Sequence, residues 1–230
     1  MTTSPSPPSP SPPSPSSTSP PAASSTTSPT APPPALPSGL ASPFGEDLAA
    51  EDVPLTELVP AGTEPTGSWI ARIASGDAIV AAWEAPSDDP FRTDRGVVVW
   101  RHTGEPVMLW RPVSAATYRA DRQPVLGITA TIDDVTGDGS PDALVFAETG
   151  GSGACGVYLV VDPSTAAQVY RRSVCDTTIT PSSEPVGLRV TEAVYAHGDP
   201  HCCPSAMRTT ILRYEANGAW TAVSETTTPT

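Results

Sequence analysis

The sequence predicts a mainly β fold: one antiparallel domain built from hairpins, with about nine or ten strands, preceded by a disordered tail rich in Pro, Ser and Thr. Short β-branched and aromatic runs alternate with turn residues along the second part of the chain. No segment keeps a 3.6-residue apolar period over about 12 residues, as an amphipathic helix would. The first 43 residues carry no charged side chain and hold half of the 30 prolines. Such a tract stays extended and solvated.

Composition divides the chain into three parts. Residues 1–44 are a Pro/Ser/Thr-rich spacer, residues 45–66 are an acidic transitional segment, and residues 67–230 are predicted to form a β-rich extracytoplasmic domain. The last part is long enough for one hydrophobic core. The transitional segment either forms one short helix or lies on the domain. Its apolar residues are Leu48, Val53, Leu55 and Leu58.

The predicted strands are short runs that follow one another along the domain. The first two are β-branched or aromatic runs, and the third follows across the turn His102–Pro106, which contains Gly104. The last two flank Asn217-Gly218, the strongest short-range hairpin signal. The full set is Ala78–Trp83, Gly96–Arg101, Val107–Arg111, Val125–Ile132, Ala143–Ala147, Gly156–Val161, Ala167–Arg171, Val186–Tyr195, Met207–Tyr214 and Trp220–Ser224.

The charge balance excludes some partners. The net charge is -13, all 12 basic residues are arginine and lysine is absent. Without a basic cluster the chain repels polyphosphate, so neither nucleic acid nor an anionic membrane surface is expected to bind it. No apolar run reaches about 18 residues, so the chain as given is not expected to insert into a membrane. The spacer is typical of a protein held outside the cell or in its envelope, either secreted or anchored through an upstream segment.

Four cysteines in an exported chain favour disulfides. Adjacent cysteines rarely meet ordinary disulfide geometry, so a bond between Cys202 and Cys203 is disfavoured. The sequence therefore favours bridges from Cys155 and Cys175, each to one member of the Cys202/Cys203 doublet.

The segment from residue 134 to residue 142 has the spacing of a calcium loop. Three aspartates and a threonine fall at positions 1, 3, 5 and 9 of an EF-hand-type loop, Gly139 takes the sharp turn and a backbone carbonyl follows it. The predicted ligands are Asp134, Thr136, Asp138, Ser140 and Asp142. Such a donor set predicts a weak structural Ca²⁺ site, with a dissociation constant of about 10⁻⁴ to 10⁻³ M. The alternative is a plain hairpin turn at Asp138-Gly139.

These residues also carry a family resemblance. The segment Ile132–Phe146 reads Ile-Asp-Asp-Val-Thr-Gly-Asp-Gly-Ser-Pro-Asp-Ala-Leu-Val-Phe, and it resembles one FG-GAP or VCBS-type repeat, the calcium-binding unit of integrin-alpha-like propellers. The resemblance implies an actinobacterial secreted protein or lipoprotein. The unit occurs once in this sequence, and one copy cannot form a seven-bladed propeller. Val145 stands where an EF-hand has its bidentate glutamate.

A second cluster of metal-binding residue types is His197, Asp199 and His201. In an extended segment these three side chains share one face, and imidazole with carboxylate is a transition-metal donor set. Gly198 and Pro200 instead indicate a turn, which would leave a disulfide-anchored loop with solvated histidines.

The sequence predicts no enzyme, because neither a Gly-x-Ser-x-Gly elbow nor a Gly-Lys-Ser/Thr phosphate loop occurs. We expect a non-catalytic extracytoplasmic β module with a binding or envelope-associated role, whose partner is a protein or a cell-wall glycan. Trp69 and Trp220 on a shared groove would favour glycan binding. The alternatives are a small secreted metal- or carboxylate-dependent hydrolase and the ectodomain of a membrane receptor or kinase.

Overall fold

The computed structural model describes residues 53–73, 76–86, 93–102, 110–118, 125–151, 153–165 and 167–230. Within these ranges the regular structure is twelve strands and one 3-10 turn, Leu55–Glu57. The mainly antiparallel β fold class is thus confirmed, with more strands than the sequence predicted. The predicted spacer, residues 45–52 of the transitional segment and residues 103–106 of the first predicted turn lie outside the described residues.

The strands form three four-stranded antiparallel sheets, and each sheet is a meander of consecutive strands. The first sheet contains β1 (Glu64–Ile73), β2 (Gly76–Pro86), β3 (Thr93–His102) and β4 (Trp110–Tyr118). The second contains β5 (Gly127–Asp133), β6 (Asp142–Gly150), β7 (Cys155–Asp162) and β8 (Ala167–Val174). The third contains β9 (Thr177–Ser183), β10 (Val186–Val194), β11 (Ala206–Tyr214) and β12 (Trp220–Pro229).

The two middle strands of the second sheet, β6 and β7, are buried on both faces. Val145 and Leu159 of this sheet pack against valines of the first sheet. The neighbouring residues Leu144 and Val160 point the other way and pack against Leu188 of the third sheet. Because successive side chains of a strand face opposite sides, two buried faces require continuous apolar runs, and β6 and β7 have them.

The outer face of the first sheet is covered by the described part of the transitional segment. Val53, Leu58 and Val59 are buried there together with Trp83 and Trp100 of the sheet. Of the two alternatives for this segment, the described residues thus lie on the domain, and their helical structure is limited to the 3-10 turn. Strand β1 begins at Glu64, just before the predicted domain start at residue 67.

Gly156 on β7 leaves no room for a side chain. A Cβ atom there would lie 2.2 Å from the ring of Phe146 and 2.7 Å from the carbonyl oxygen of Ala147. The Phe146 ring is stacked on Tyr158 with the ring centroids 4.4 Å apart, so it has little freedom to retreat. We expect Gly156→Ala to lower the free energy of unfolding by about 1–3 kcal/mol in urea titrations.

Gly127→Ala is the matched control for this prediction. Gly127 also lies on a strand of the second sheet, and a Cβ atom there would meet nothing within 4 Å. We expect its effect to stay within about 0.5 kcal/mol. Equal losses in the two variants would show that the crowding at Gly156 is not the cause.

Candidate functional site

The predicted calcium loop connects β5 to β6, and the pairing of Asp133 with Asp142 closes it. The Asp134 carboxylate accepts hydrogen bonds from the backbone N–H groups of Gly137 (2.7 Å) and Gly139 (3.0 Å). Both glycines have positive φ angles, 78° and 86°, which glycine adopts without steric cost. Asp138 accepts a hydrogen bond from the Ser140 N–H at 2.7 Å. The loop is therefore held in shape by its own aspartates.

Asp142 is the buried carboxylate of the loop, with 1% of its surface exposed. Its Oδ2 atom accepts hydrogen bonds from the backbone N–H groups of Val135 (3.0 Å) and Thr136 (2.9 Å). Its Oδ1 atom and the Thr136 hydroxyl oxygen are both buried and have no hydrogen-bond partner among the described residues. The hydroxyl lies close enough to lower the pKa of Asp142, although the pair does not meet hydrogen-bond geometry.

Burial determines the electrostatics at Asp142. Loss of solvation raises the pKa of its carboxyl to about 7, and the nearby Asp162 charge adds to the rise, while the hydrogen bonds from Thr136 and Val135 oppose it. Removing a charge from water is costly unless it is paired or bound to a metal. Burial therefore favours neutralisation of the Asp142 charge, either by a proton or by a bound cation.

The sequence did not single out Asp162, which lies at the end of β7. Desolvation alone would raise its pKa, but hydrogen bonds from Ser164 and Thr165 outweigh it and lower the pKa. The Ser164 N–H and hydroxyl lie 2.7 Å and 2.6 Å from Oδ1. The signal that could have found it is Asp-Pro-Ser-Thr at a strand end, because an Asp side chain at a turn bonds the backbone N–H two residues on.

The chemistry of the predicted ligands fits calcium. Carboxylate, hydroxyl and carbonyl oxygens are its usual ligands, and a carboxylate oxygen that accepts one N–H bond keeps a lone pair for an ion. In the described part of the chain, however, no three His, Cys, Asp or Glu side chains converge closely enough to hold a metal ion. Asp134 and Asp138 lie against the loop amides instead. The predicted ligands thus lie in one loop, but their carboxylates do not converge on a single cation position.

The predicted disulfide connectivity is wrong. Cys155 is bonded to Cys175, with their Cα atoms 4.0 Å apart, and Cys202 and Cys203 are free. The register of the β7–β8 pair explains this: it ends at Gly156 opposite Val174, which leaves the two bonded cysteines facing each other just beyond. Antiparallel pairing, which the cysteine spacing does not reveal, selects the partner.

The connection between β10 and β11 contains the three residues considered for a transition metal. Asp199 closes this loop, because its Oδ2 accepts hydrogen bonds from the N–H groups of Ala196 (2.7 Å) and Ser205 (2.9 Å) and from the Ser205 hydroxyl (2.5 Å). The Ser205 hydroxyl is the largest cause of its lowered pKa. His197 is exposed, and the His201 Nδ1 lies 3.9 Å from Asp176 Oδ2. Asp199 thus acts as the hydrogen-bond acceptor of a turn, in line with the turn signals at Gly198 and Pro200.

The two tryptophans considered for glycan stacking pack against different clusters. Trp69 is partly buried where the first and second sheets meet. Trp220 packs where the second and third sheets meet, and its indole N–H donates to the Val169 carbonyl at 2.8 Å. Its ring also contacts Tyr170 and Tyr214. Both side chains contribute to joining the sheets.

Fold and site together define the class: a mainly β protein of stacked four-stranded sheets with a candidate cation loop at one end of its central sheet. No match is found when the chain is compared with protein-family models, with curated proteins and with solved structures. Among the described residues, no helix has the length and apolar character needed to cross a membrane.

Proposed function

We propose that this protein is a non-catalytic β module of the cell exterior or envelope, and that its loop from Asp134 to Asp142 binds Ca²⁺ weakly as a structural ion. The observation that carries the proposal is the Asp142 carboxylate, which is 1% exposed. Its Oδ1 has no hydrogen-bond partner within the described ranges, and neither has the Thr136 hydroxyl of the same loop. Buried polar groups are normally satisfied, and a hard cation would satisfy both oxygens.

The extracytoplasmic location is supported by the bridge between Cys155 and Cys175, because structural disulfides persist in oxidising compartments. A site in the weak affinity class of extracellular modules would fill only where calcium is abundant, which is the case outside the cell. The Pro/Ser/Thr composition of residues 1–44 suits a spacer that holds the domain away from a surface.

The resemblance to an FG-GAP or VCBS-type unit is supported by the placement of the loop. β-Propellers are built from four-stranded antiparallel sheets, and the loop joins two neighbouring strands of one such sheet. In this position an ion would fix the β5–β6 connection and would offset the negative charges of Asp142 and Asp162. Its role is stabilisation of the domain.

A calcium titration tests the proposal. We expect the thermal midpoint of the full chain to rise with millimolar CaCl₂ after treatment with a chelator. At free calcium 100 times the dissociation constant, about 10–100 mM for this affinity class, the gain is about 2.7 kcal/mol, which corresponds to about 5–10 °C. Magnesium should raise the midpoint less, because it retains its waters and demands octahedral geometry. Asp138→Ala should reduce the calcium shift. A midpoint that ignores calcium throughout this range would leave the loop as a plain turn.

The Asp142→Asn variant tests calcium binding separately from the stability of the fold. An amide oxygen can still accept the two N–H bonds from Val135 and Thr136, but the variant removes the buried charge. We expect its stability without calcium, in mildly alkaline buffer, to equal or exceed that of the parent protein, and its calcium shift to disappear. Asp133→Asn, at an exposed position beside the loop, should keep the shift. A full calcium shift in Asp142→Asn would place the ion elsewhere.

A further inference from the structure

Cys202 and Cys203 lie in the connection between β10 and β11, and both are free and exposed. Their Sγ atoms are only 2.8 Å apart. This separation is within about 1 Å of the length of a disulfide bond, about 2.05 Å. The other two cysteines are already bonded to each other. The doublet is therefore a dithiol with no competing partner in the described part of the chain.

We propose that Cys202 and Cys203 form a redox-active dithiol, which closes to a vicinal disulfide by exchange with a low-molecular-weight disulfide. The sequence alone disfavoured this bond because adjacent cysteines rarely meet disulfide geometry. The structure supplies the missing observation, since the local backbone already turns the two sulfur atoms toward each other. The proposal does not depend on the calcium site.

Hydrogen bonds on both sides hold the doublet in this arrangement. The Cys203 N–H donates to the Pro200 carbonyl at 2.9 Å, and the Tyr195 hydroxyl donates to the His201 carbonyl at 2.8 Å. Asp199 ties the two ends of the loop together through Ala196 and Ser205. A dithiol whose backbone is already fixed loses little conformational entropy when its second sulfur reacts.

The reaction is a pair of thiol–disulfide exchanges. One sulfur, as the thiolate, attacks the small disulfide, forms a mixed disulfide and releases one small thiol. The second sulfur then attacks the mixed disulfide at the first sulfur, closes the eight-membered ring and releases the other small thiol. The dithiol loses two electrons and two protons, and the small disulfide takes them up as two thiols. The exposure of both cysteines gives the oxidant access.

The closed ring should be the more easily reduced of the two bridges in the protein. A vicinal ring is strained, and strained, exposed disulfides are the labile ones. The bond between Cys155 and Cys175 instead joins neighbouring strands and closes a chain segment with a sequence separation of 20. Mild reductant should therefore open the doublet first and leave that bond intact.

Native oxidation followed by mass spectrometry tests the proposal. The folded full chain is incubated with excess glutathione disulfide in mildly alkaline buffer, and remaining thiols are then alkylated. We expect the parent protein to lose two hydrogens without gaining an adduct, and the peptide that contains Cys202 and Cys203 to resist alkylation. Mild reductant should restore two alkylatable thiols in that peptide. Cys202→Ser and Cys203→Ser should each retain one glutathione adduct, because the second exchange has no sulfur to complete it.

Four results would overturn the proposal: two thiols of the parent doublet that remain alkylatable after the incubation, stable glutathione adducts on it, dimers linked through it, or a bond from it to Cys155 or Cys175. Thermal unfolding of each serine variant checks that the fold is retained. Because calcium is absent from this assay, its outcome does not decide the proposed cation site, and a failed calcium titration does not decide the dithiol.

Discussion

Replacing Trp100 with alanine is expected to lower the free energy of unfolding by about 3–5 kcal/mol, as large-to-small changes of buried aromatic residues do. Trp100 is 0% exposed and lies in the cluster between the first sheet and the segment that precedes it. Its indole N–H also donates a hydrogen bond to the Leu58 carbonyl at 2.8 Å. The substitution removes both the apolar contact and the bond that holds this segment on the sheet.

Trp100→Phe separates these two contributions. Phenylalanine keeps much of the apolar contact but has no N–H group, so it leaves the buried Leu58 carbonyl without this donor. We expect a loss of about 1–3 kcal/mol for this variant. Urea titration measures the stabilities, and hydrogen exchange of residues 53–59 reports whether the segment detaches in the alanine variant. If these amides exchange as slowly in the alanine variant as in the parent, Trp100 does not anchor the segment.

The central strands could be predicted because their sequences carry the evidence. Strands β6 and β7 are buried on both faces and therefore read as apolar runs, and the Asn217-Gly218 turn fixes the hairpin of β11 and β12. The grouping into three sheets could not be predicted in the same way. It depends on which strand ends meet, and the short apolar runs do not record this.

The strands that the sequence did not predict are β1, β9 and most of β4. Strands β1 and β9 lie at the edges of their sheets. Strand β1 contains Pro65 and Gly67 at an irregularity in its register, and β9 contains Pro181 among Ser and Thr residues. Edge strands tolerate proline because one side of the backbone needs no partner. A prediction from composition therefore misses such strands, because it assigns their turn-forming residues to loops.

The candidate site likewise has features that depend on local sequence and features that depend on long-range contacts. The ligand spacing from Asp134 to Asp142 is local, so the sequence could propose the calcium loop. The burial of Asp142 and the influence of Asp162 arise from strand register and from the packing of the second sheet. Only the folded chain shows that one oxygen of Asp142 has no partner in the part of the protein that the structure describes.

Removing the bond between Cys155 and Cys175 is expected to cost about 3 kcal/mol. The two cysteines are separated by 20 residues in the sequence, and in the chain-entropy description a loop of this length restricts the unfolded state by about that amount. The doubly substituted variant Cys155→Ser, Cys175→Ser tests this by thermal or urea unfolding in the absence of reductant. Native strain in the bridge would make the measured loss smaller.

The matched control replaces the other two cysteines, Cys202→Ser and Cys203→Ser, in one variant. Both are exposed and free, so we expect a change within about 0.5 kcal/mol. The cross-pairing that the sequence favoured predicts the opposite outcome, since either double substitution would then remove both bridges and cost the same. Equal, large losses would restore that connectivity, whereas a loss confined to Cys155 and Cys175 assigns the stabilising bridge to the β7–β8 register.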